Sequence, residues 1–300
     1  MSLFDKLTVW SLPFVPKPIV GYFSRPYIAG SKLEDAVRII KGLNNKGIMA
    51  TIDLLGEEIT HKDQAAAAAE EYKEIVREID KQKLDANVSV KPTHMGLLLD
   101  EDFCYNNIRA IIQEAVKYNN FVRIDMEDHT TTDKTIEIFL RLKKEFDGHV
   151  GTVIQSYMRR TMDDINYLIE HKANLRLCKG IYNEPREVAY KDMFSINDNY
   201  NYNLRKLLTN GCYTGIATHD EKLVWYALSV IDELKLDKKD YEFQMLLGVD
   251  EQLRDIIVAA GHRMRIYVPY GKDWYAYSVR RLKENPKMAG YVLKKILHLS

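Results

Sequence analysis

Residues 121–155 read FVRIDMEDHTTTDKTIEIFLRLKKEFDGHVGTVIQ and contain an apolar run, a charged segment and a second apolar run, in that order. The two runs, 121–126 and 150–155, are short and rich in β-branched residues, which is typical of buried strands. Between them, residues 133–146 place apolar side chains at helical spacing among lysines and glutamates. This order predicts a strand, a helix and a second strand parallel to the first.

The same alternation continues in both directions along the chain. Eight strand candidates occupy residues 47–55, 88–98, 121–126, 150–155, 173–179, 212–218, 241–247 and 263–268. The helical segments between them cover residues 63–82, 103–118, 133–146, 161–171, 198–209, 220–235 and 251–260. Eight repeats favour a closed barrel over an open sheet. We therefore predict one α/β domain over residues 1–300, a distorted (β/α)8 TIM-type barrel with an N-terminal extension (1–32), an extra helix (33–45) and a C-terminal helix (287–300).

Composition and charge argue against several classes of protein. The 43 lysines and arginines balance the 43 aspartates and glutamates, so no net charge would recruit nucleic acid. Three cysteines without CxxC spacing indicate a reducing compartment. No run of about 18 apolar residues suggests a membrane span, and no leader is recognisable. We predict a cytoplasmic protein, with peripheral attachment to the inner face of the membrane as the alternative; the basic amphipathic tail (287–299) suits either a bilayer surface or a cap on the barrel.

Polar residues gather where the predicted strands end. In barrels of this kind, catalytic groups stand at the carboxyl ends of the strands, and charges inside buried strands are costly unless they are paired or functional. The polar residues are Asp53, Lys91, Asp125, Glu127, Asp128, Gln155, Arg176, Lys179, Thr218, His219, Gln244 and Tyr267. A structural ion pair explains any one of them, whereas their convergence on one face indicates an active site. The 15 glycines form neither GxGxxG nor a phosphate-binding loop, so a nucleotide would bind without either fingerprint.

Residues 274–284, WYAYSVRRLKE, carry the sharpest local pattern. At helical spacing, Tyr277 shares a face with Arg280 and Arg281, and Glu284 can pair with either arginine. Two guanidinium groups on one face suit a carboxylate or a phosphate. The alternative is a solvated basic face near a helix C-terminus, where cations are favoured.

Nine motifs, taken in order, resemble the proline dehydrogenase family. They are LLGEE (54–58), SVK (89–91), RIDMED (123–128), IQSY (154–157), LRLCKGIY (175–182), ATHD (217–220), FQMLLG (243–248), RIYVPYG (265–271) and WYAYSVRRLKEN (274–285). The likeness extends to the monofunctional bacterial enzymes and to the corresponding domain of bifunctional proline utilisation A. It implies oxidation of L-proline to Δ1-pyrroline-5-carboxylate, the first step of proline catabolism, on non-covalent FAD in a distorted barrel with a final helix above the pocket. It also implies hydride transfer from proline C5 to flavin N5, a quinone as electron acceptor, and functional coupling to pyrroline-5-carboxylate dehydrogenase.

The resemblance further implies residue roles. The catalytic residues would be Asp125 and Arg176. The substrate would contact Lys91, Tyr267, Tyr277, Arg280, Arg281, Leu246 and Glu57. The flavin would contact Met126, Gln155, Arg176, Lys179, Gly180, Ile181, Thr218, His219 and Gln244. In this scheme Arg280 and Arg281 clamp the carboxylate, Asp125 holds Lys91 in an ion pair, and Glu57 pairs with Arg280 as a gate.

Two other hypotheses remain open at this point. A metal-dependent barrel lyase or isomerase would use Asp125, Glu127, Asp128 and His129 as ligands. A non-catalytic barrel retained for binding would have no reason to keep the costly charges of Lys91, Asp125, Arg176, Arg280 and Arg281. We predict that His61, His94, His149 and His171 lie on the surface or in loops, and that Cys178 has a packing role.

Overall fold

Eight parallel strands alternate with helices and close into a barrel in the computed structural model, which describes residues 20–21, 24–56, 59–275 and 277–278. The strands are β1 (Met49–Leu54), β2 (Ala86–Val90), β3 (Val122–Ile124), β4 (Val150–Gln155), β5 (Leu175–Cys178), β6 (Thr214–Ala217), β7 (Tyr241–Leu246) and β8 (Met264–Tyr270). Each strand pairs with its neighbours along the chain, and β8 pairs with β1. The predicted (β/α)8 barrel is therefore confirmed.

The helices surround this sheet. They are α1 (Leu33–Asn44), α2 (Lys62–Lys81), α3 (Glu101–Lys117), α4 (Thr132–Glu145), α5 (Thr161–Glu170), α6 (Met193–Thr209), α7 (Glu221–Leu234) and α8 (Glu251–Ala259). Short 3-10 turns precede α4 (His129–Thr131) and β7 (Lys238–Asp240). The helix predicted before the first strand is present as α1.

Apolar side chains on alternate strand positions form the core between the sheet and the helices. Ile52, Val88 and Ile124 are fully buried there. Helix α2 buries Ala65, Ala68 and Tyr72 on the side that faces the sheet. The Tyr72 hydroxyl accepts a hydrogen bond from Leu54 N at 3.2 Å and donates one to the Ser89 carbonyl at 2.8 Å, so α2 ties β1 to β2. Removal of this apolar surface from water is the main stabilising contribution to such a domain.

The inward strand positions are unusually polar. Residues of distant strands meet across the barrel: Tyr267 of β8 donates to Asp125, which follows β3, and Arg176 of β5 reaches the same carboxylate. Barrel interiors are more often filled by Val, Ile and Leu. The polar interior is what places ionisable groups next to one another at the carboxyl ends of the strands.

Two predicted boundaries differ from the structure by more than about two residues. The strand expected at 88–98 ends at Val90, because Pro92 begins a series of turns in which Leu97 N bonds the Pro92 carbonyl at 3.0 Å. Lys91 therefore follows the strand rather than lying within it. Helix α6 begins at Met193 instead of residue 198, since the Asp192 carboxylate caps it by accepting from Ser195 N at 2.8 Å.

Several predictions concern residues outside the described ranges. Residues 1–19 of the N-terminal extension and the C-terminal helix at 287–300 are among them, so the single-domain assignment and the role of the tail stay predictions. Trp274 and Tyr277 are helical, and Ser278 Oγ donates to the Trp274 carbonyl at 2.6 Å, as expected for the start of the final helix. Among the described helices, none has the length and apolarity that a bilayer crossing requires.

The tight packing of the barrel interior can be tested at Gly151, with Gly42 on a surrounding helix as the comparison. A Cβ on Gly151 of β4 would lie 2.4 Å from Arg123 Nη1 and 2.6 Å from the Asn174 carbonyl, whereas a Cβ on Gly42 of α1 would meet nothing within 4 Å. We expect Gly151→Ala to lower the free energy of unfolding by about 1–3 kcal/mol through overpacking. We expect Gly42→Ala to raise it by about 0.5 kcal/mol. Urea unfolding measures both, and a neutral Gly151→Ala variant would contradict the packing described.

Candidate active site

A cavity of about 630 Å³ opens at the carboxyl ends of the strands. Its volume lies within the range of small-molecule and cofactor sites. The described residues to which the resemblance gave a catalytic, substrate or flavin role all line it: Lys91, Asp125, Met126, Gln155, Arg176, Lys179, Gly180, Ile181, Thr218, His219, Gln244, Leu246, Tyr267 and Tyr277. The remaining three, Glu57, Arg280 and Arg281, lie outside the described residues. Glu127 and Asp128, which the sequence also placed at this face, do not line it.

Asp125 is the centre of the hydrogen bonds in this cavity. Its Oδ1 accepts from Arg176 Nη1 at 2.7 Å and from Ser89 Oγ at 2.6 Å, and its Oδ2 accepts from the Tyr267 hydroxyl at 2.8 Å. Burial, and then the negative charge of Asp125, raise the pKa of Tyr267 well above its ordinary value, so this phenol stays protonated and donates. The Arg176 guanidinium also lies over the Tyr267 ring, 5.3 Å from its centroid. These contacts fix the direction of both cavity-lining side chains.

The ion pair predicted between Lys91 and Asp125 is wrong. Lys91 Nζ lies 2.7 Å from Asp53 Oδ1 instead, and both side chains are buried. Asp53 lies on β1, next to β2, whereas the Asp125 carboxylate is already occupied by Arg176. Burial raises the pKa of Asp53 above its ordinary value, against the opposing effect of Lys91. The sequence did show a carboxylate, Asp53, inside a buried strand, but it did not show that this residue would be the partner of Lys91.

Backbone contacts hold the loops that follow the later strands. Thr218 N donates to the Gln244 carbonyl at 3.2 Å, and Leu246 N donates to His219 Nε2 at 3.1 Å. The Gln155 side chain donates Nε2 to the Glu127 carbonyl at 2.8 Å. These contacts join the end of β4 to the segment after β3, and the segment after β6 to the end of β7.

Lys179 and Gly180 follow β5 and line the same cavity. Lys179 Nζ pairs with Asp220 Oδ2 at 2.7 Å, and Asp220 also caps α7 by accepting from Lys222 N. Sequence reasoning gave Asp220 no role. Gly180 has a φ of +104°, and a Cβ there would lie 2.2 Å from the Tyr157 ring. Only glycine fits this position, since it combines a conformation that L residues rarely adopt with close approach of a ring.

These residues fit a flavin on chemical grounds. A planar heteroaromatic ring system needs a flat cavity with donors and acceptors at its edge, and a pyrophosphate suits cations near a helix N-terminus. The cavity supplies Gln155, whose amide oxygen has no hydrogen-bond partner among the described residues, and the Arg176 guanidinium. Lys179 lies beside the N-terminus of α7. Burial raises the pKa of the Cys178 thiol to about 11, in keeping with the packing role predicted for it.

The four carboxylate and imidazole residues of the metal-dependent alternative do not converge. Glu127 accepts from Thr93 N and Thr93 Oγ1, at 2.8 Å and 2.6 Å. Asp128 caps the 3-10 turn through Thr130 N, and His129 pairs with Glu184. Among the described residues, no three His, Cys, Asp or Glu side chains form a group that could hold a metal ion. The lyase or isomerase hypothesis therefore has no support in this arrangement.

His94 lies in a loop, one of the two places predicted for it, but it is buried there rather than at the surface. It is 5% exposed in the turn after β2, and a Cβ on Gly56 would come within 2.4 Å of its ring. Burial and the nearby charge of Lys91 lower its pKa to about 4. The imidazole is therefore neutral at pH 7.

Comparison with known proteins gives the same family from sequence and from structure. The family model described as "Proline dehydrogenase" matches residues 36–293. Proline dehydrogenase 1 of Bacillus subtilis subsp. natto is 39% identical over 274 residues, which cover 91% of this chain and 90% of that protein. Proline dehydrogenase of Deinococcus radiodurans is 37% identical over 275 residues, covering 90% of this chain and 89% of that one.

The barrel also matches a solved structure. Proline utilization A (PutA) from Bdellovibrio bacteriovorus, inactivated by N-propargylglycine, superposes with a TM-score of 0.82 at 26% identity. The match covers 88% of this chain and 32% of the PutA chain. This chain belongs to the proline dehydrogenase family.

The buried imidazole makes stability depend on pH. The folded-state pKa of His94, about 4, lies below its ordinary value of 6.5. The stability that the neutral imidazole contributes is therefore complete above pH 6.5 and is lost as the pH falls through 4. The difference corresponds to about 3 kcal/mol of unfolding free energy between pH 7 and pH 4. Between pH 7 and pH 4, we expect the free energy of unfolding of His94→Gln to fall by about 3 kcal/mol less than that of wild type. Urea unfolding at the two pH values measures both. The exposed His171→Gln is the control, and identical pH dependence in all three proteins would refute the assignment.

Proposed function

We propose that this member of the proline dehydrogenase family oxidises L-proline to Δ1-pyrroline-5-carboxylate in the cavity at the carboxyl ends of its strands, with FAD as cofactor. The observation that carries the proposal is the convergence of Lys91, Asp125, Arg176, Gln244 and Tyr267 on one buried cavity. These residues come from five different parts of the barrel. The family match over residues 36–293 supports the same activity.

The two ends of the substrate would contact different kinds of side chain: cations at the carboxylate, and aromatic or aliphatic side chains at the ring. Lys91, Arg280 and Arg281 would bind the carboxylate, and Tyr267, Tyr277 and Leu246 would pack against the ring carbons. Tyr277 is buried and packs against Ile28 and Leu55. Glu57 would close over the bound substrate by pairing with Arg280.

The amine of proline would lose its proton before its C5–H bond is broken or in the same step. Asp53 offsets the charge of Lys91, because their oxygen and nitrogen are only 2.7 Å apart. The cationic field that favours a neutral amine would therefore come from Lys91, Arg280 and Arg281 together, with the share of Lys91 reduced by Asp53. Arginine suits this task, since it does not give up its own charge.

FAD, when bound, would supply a two-electron acceptor that takes a hydride from proline C5 at flavin N5. Residues Met126, Gln155, Lys179, Gly180, Ile181, Thr218, His219 and Gln244 would hold it. Arg176 would lie beside N5, with its guanidinium held by Asp125 on one side and Gln244 on the other. A fixed positive charge there stabilises the negative charge that develops on reduction, without reorganisation at the moment of reaction.

We assign a quinone as electron acceptor, reached from the cytoplasm or from the inner face of the membrane. We also assign functional coupling to pyrroline-5-carboxylate dehydrogenase. The support for this coupling is the match to PutA, because the PutA of Klebsiella aerogenes, of which this chain covers 24%, is a bifunctional protein.

The first test is the visible spectrum of the purified protein. We expect a yellow protein that carries FAD and whose flavin absorbance is bleached by L-proline without oxygen, because the two-electron acceptor is then reduced and not reoxidised. D-proline is the matched control and should bleach it far more slowly. A colourless protein that takes up no added FAD would disprove the proposed function.

The second test addresses the carboxylate clamp. We expect Arg280→Lys and Arg281→Lys each to raise the KM for proline by about 10- to 100-fold, because a point charge cannot replace two parallel hydrogen bonds. The control is Arg254→Lys on α8, whose guanidinium pairs with Glu251 and Asp255 away from the cavity. Steady-state kinetics measure all three, and an unchanged KM in both clamp variants would overturn this assignment.

A further inference from the structure

Four side chains form a continuous hydrogen-bonded chain through the barrel interior, and we call it the interior chain. Arg176 Nε donates to Gln244 Oε1 at 2.6 Å, and Gln244 Nε2 donates to Glu242 Oε1 at 2.6 Å. Arg265 then binds Glu242 in a fork, with Nε to Oε1 at 2.6 Å and Nη2 to Oε2 at 3.1 Å. The interior chain begins in the active-site cavity and ends at the opposite mouth of the barrel.

Glu242 lies outside the active-site cavity. It lines a second cavity of about 540 Å³ at the amino ends of the strands, together with Arg265 and Tyr213. Its side chain is fully enclosed, and its Oε2 also accepts from the Tyr213 hydroxyl at 2.7 Å. Burial alone would raise the pKa of Glu242, but Arg265 and these donors lower it to about 2. With Arg265 donating to both of its oxygens, Glu242 is a carboxylate at pH 7 and can only accept hydrogen bonds.

A carboxylate in this place sets the direction of the Gln244 amide. An amide has one accepting end and one donating end of nearly equal size. Because Glu242 only accepts, the NH2 of Gln244 has to face it, and the amide oxygen then faces Arg176. The reverse orientation would place oxygen against carboxylate and NH2 against guanidinium, which loses both hydrogen bonds.

Strand β6 lies between Arg176 and Gln244, and a glycine in this strand leaves room for their contact. Arg176 of β5 and Glu242 of β7 are both register partners of Gly215 on β6. A Cβ on Gly215 would lie 2.4 Å from Gln244 Nε2 and 2.9 Å from its amide carbon. The missing side chain is the space through which Gln244 reaches across β6 to Arg176.

We propose that Glu242 is a positioning residue, which acts through Gln244 to fix the guanidinium plane of Arg176 at the active-site cavity. Asp125 holds one edge of that guanidinium at Nη1, and the interior chain holds the other at Nε. Glu242 itself touches neither substrate nor cofactor. Its effect on the reaction rests on the proposed function, in which Arg176 stabilises reduced flavin.

The test separates this role from mere stability. Glu242→Gln leaves Arg265 as an unpaired buried charge, so we expect its melting temperature to fall by about 10 °C. Glu242→Gln/Arg265→Met removes both charges and should recover most of that loss. In both variants the amide can turn, so the Nε proton of Arg176 should exchange with solvent at least about tenfold faster, as expected when a hydrogen bond to a charged group is lost. Nitrogen-detected NMR of the apoprotein measures that exchange, with the signal assigned by its loss in Arg176→Lys.

The holoenzyme provides the functional readout. In the double variant we expect kcat to fall about tenfold with little change in the KM for proline, because Arg176 lies at the flavin and not at the carboxylate. The same tenfold effect on the two-electron couple would make the flavin midpoint potential about 30 mV more negative.

The matched control is Thr51→Val, which removes another buried interior hydrogen bond, from Thr51 Oγ1 to Asn87 Oδ1 at 2.5 Å, outside the interior chain. It should leave exchange at Arg176 and the potential unchanged. If the Nε proton of Arg176 exchanges with solvent at the wild-type rate in the double variant, the positioning role is wrong, whatever the activity of that variant. A double variant that regains wild-type kcat along with its melting temperature would overturn it as well. Failure of the wild type to bind FAD would instead count against the proposed function, since the exchange measurement uses no flavin.

Discussion

The Asp125 carboxylate is the contact on which the site depends most. It receives donors from three other strands or their ends, Ser89, Arg176 and Tyr267. A buried charge is tolerated only when its partners compensate for the water it has lost, and removing one partner of such a pair costs about 3–5 kcal/mol. Asp125 therefore fixes the positions of these three donors while they stabilise its charge. The geometry of the cavity follows from these hydrogen bonds.

The two faces of the sheet serve different purposes. The outer face is apolar and packs under amphipathic helices, which supplies the stability of the domain. The inner face carries paired charges that a barrel of this size would not need for stability alone. Its ion pairs, Lys91 with Asp53 and Arg265 with Glu242, each link neighbouring strands. The stability of the outer layer is what allows the inner layer to be polar.

Glycines complete the inner layer where a side chain would block a contact. Gly151 leaves space for Arg123, and Gly215 leaves space for Gln244. Both lie on strands of the barrel, where glycine is otherwise unfavourable because it weakens the strand. Their positions become intelligible only when the long side chain arriving from a neighbouring strand is known.

The sequence placed nearly every element because hydrophobic periodicity is a local property. Strand 150–155 and helix 133–146 were predicted within a residue of β4 and α4. The largest error in a strand came at residues 88–98, where the turns after Pro92 continue an apolar stretch. Residues that line the cavity were also predicted well, since they come from motifs whose order alone identifies the family.

What sequence alone determined is thus the (β/α)8 architecture, the family and the set of residues at the mouth of the barrel. Only the tertiary structure decided the partners and the burial: Lys91 pairs with Asp53 rather than Asp125, His94 is buried within its loop, and Glu242 lies behind Gln244. Which charges meet depends on barrel closure and strand register, which bring together residues as far apart in sequence as Asp125 and Tyr267. Periodicity within a strand shows which side chains face inward, but it contains no information on which of them share a level of the barrel.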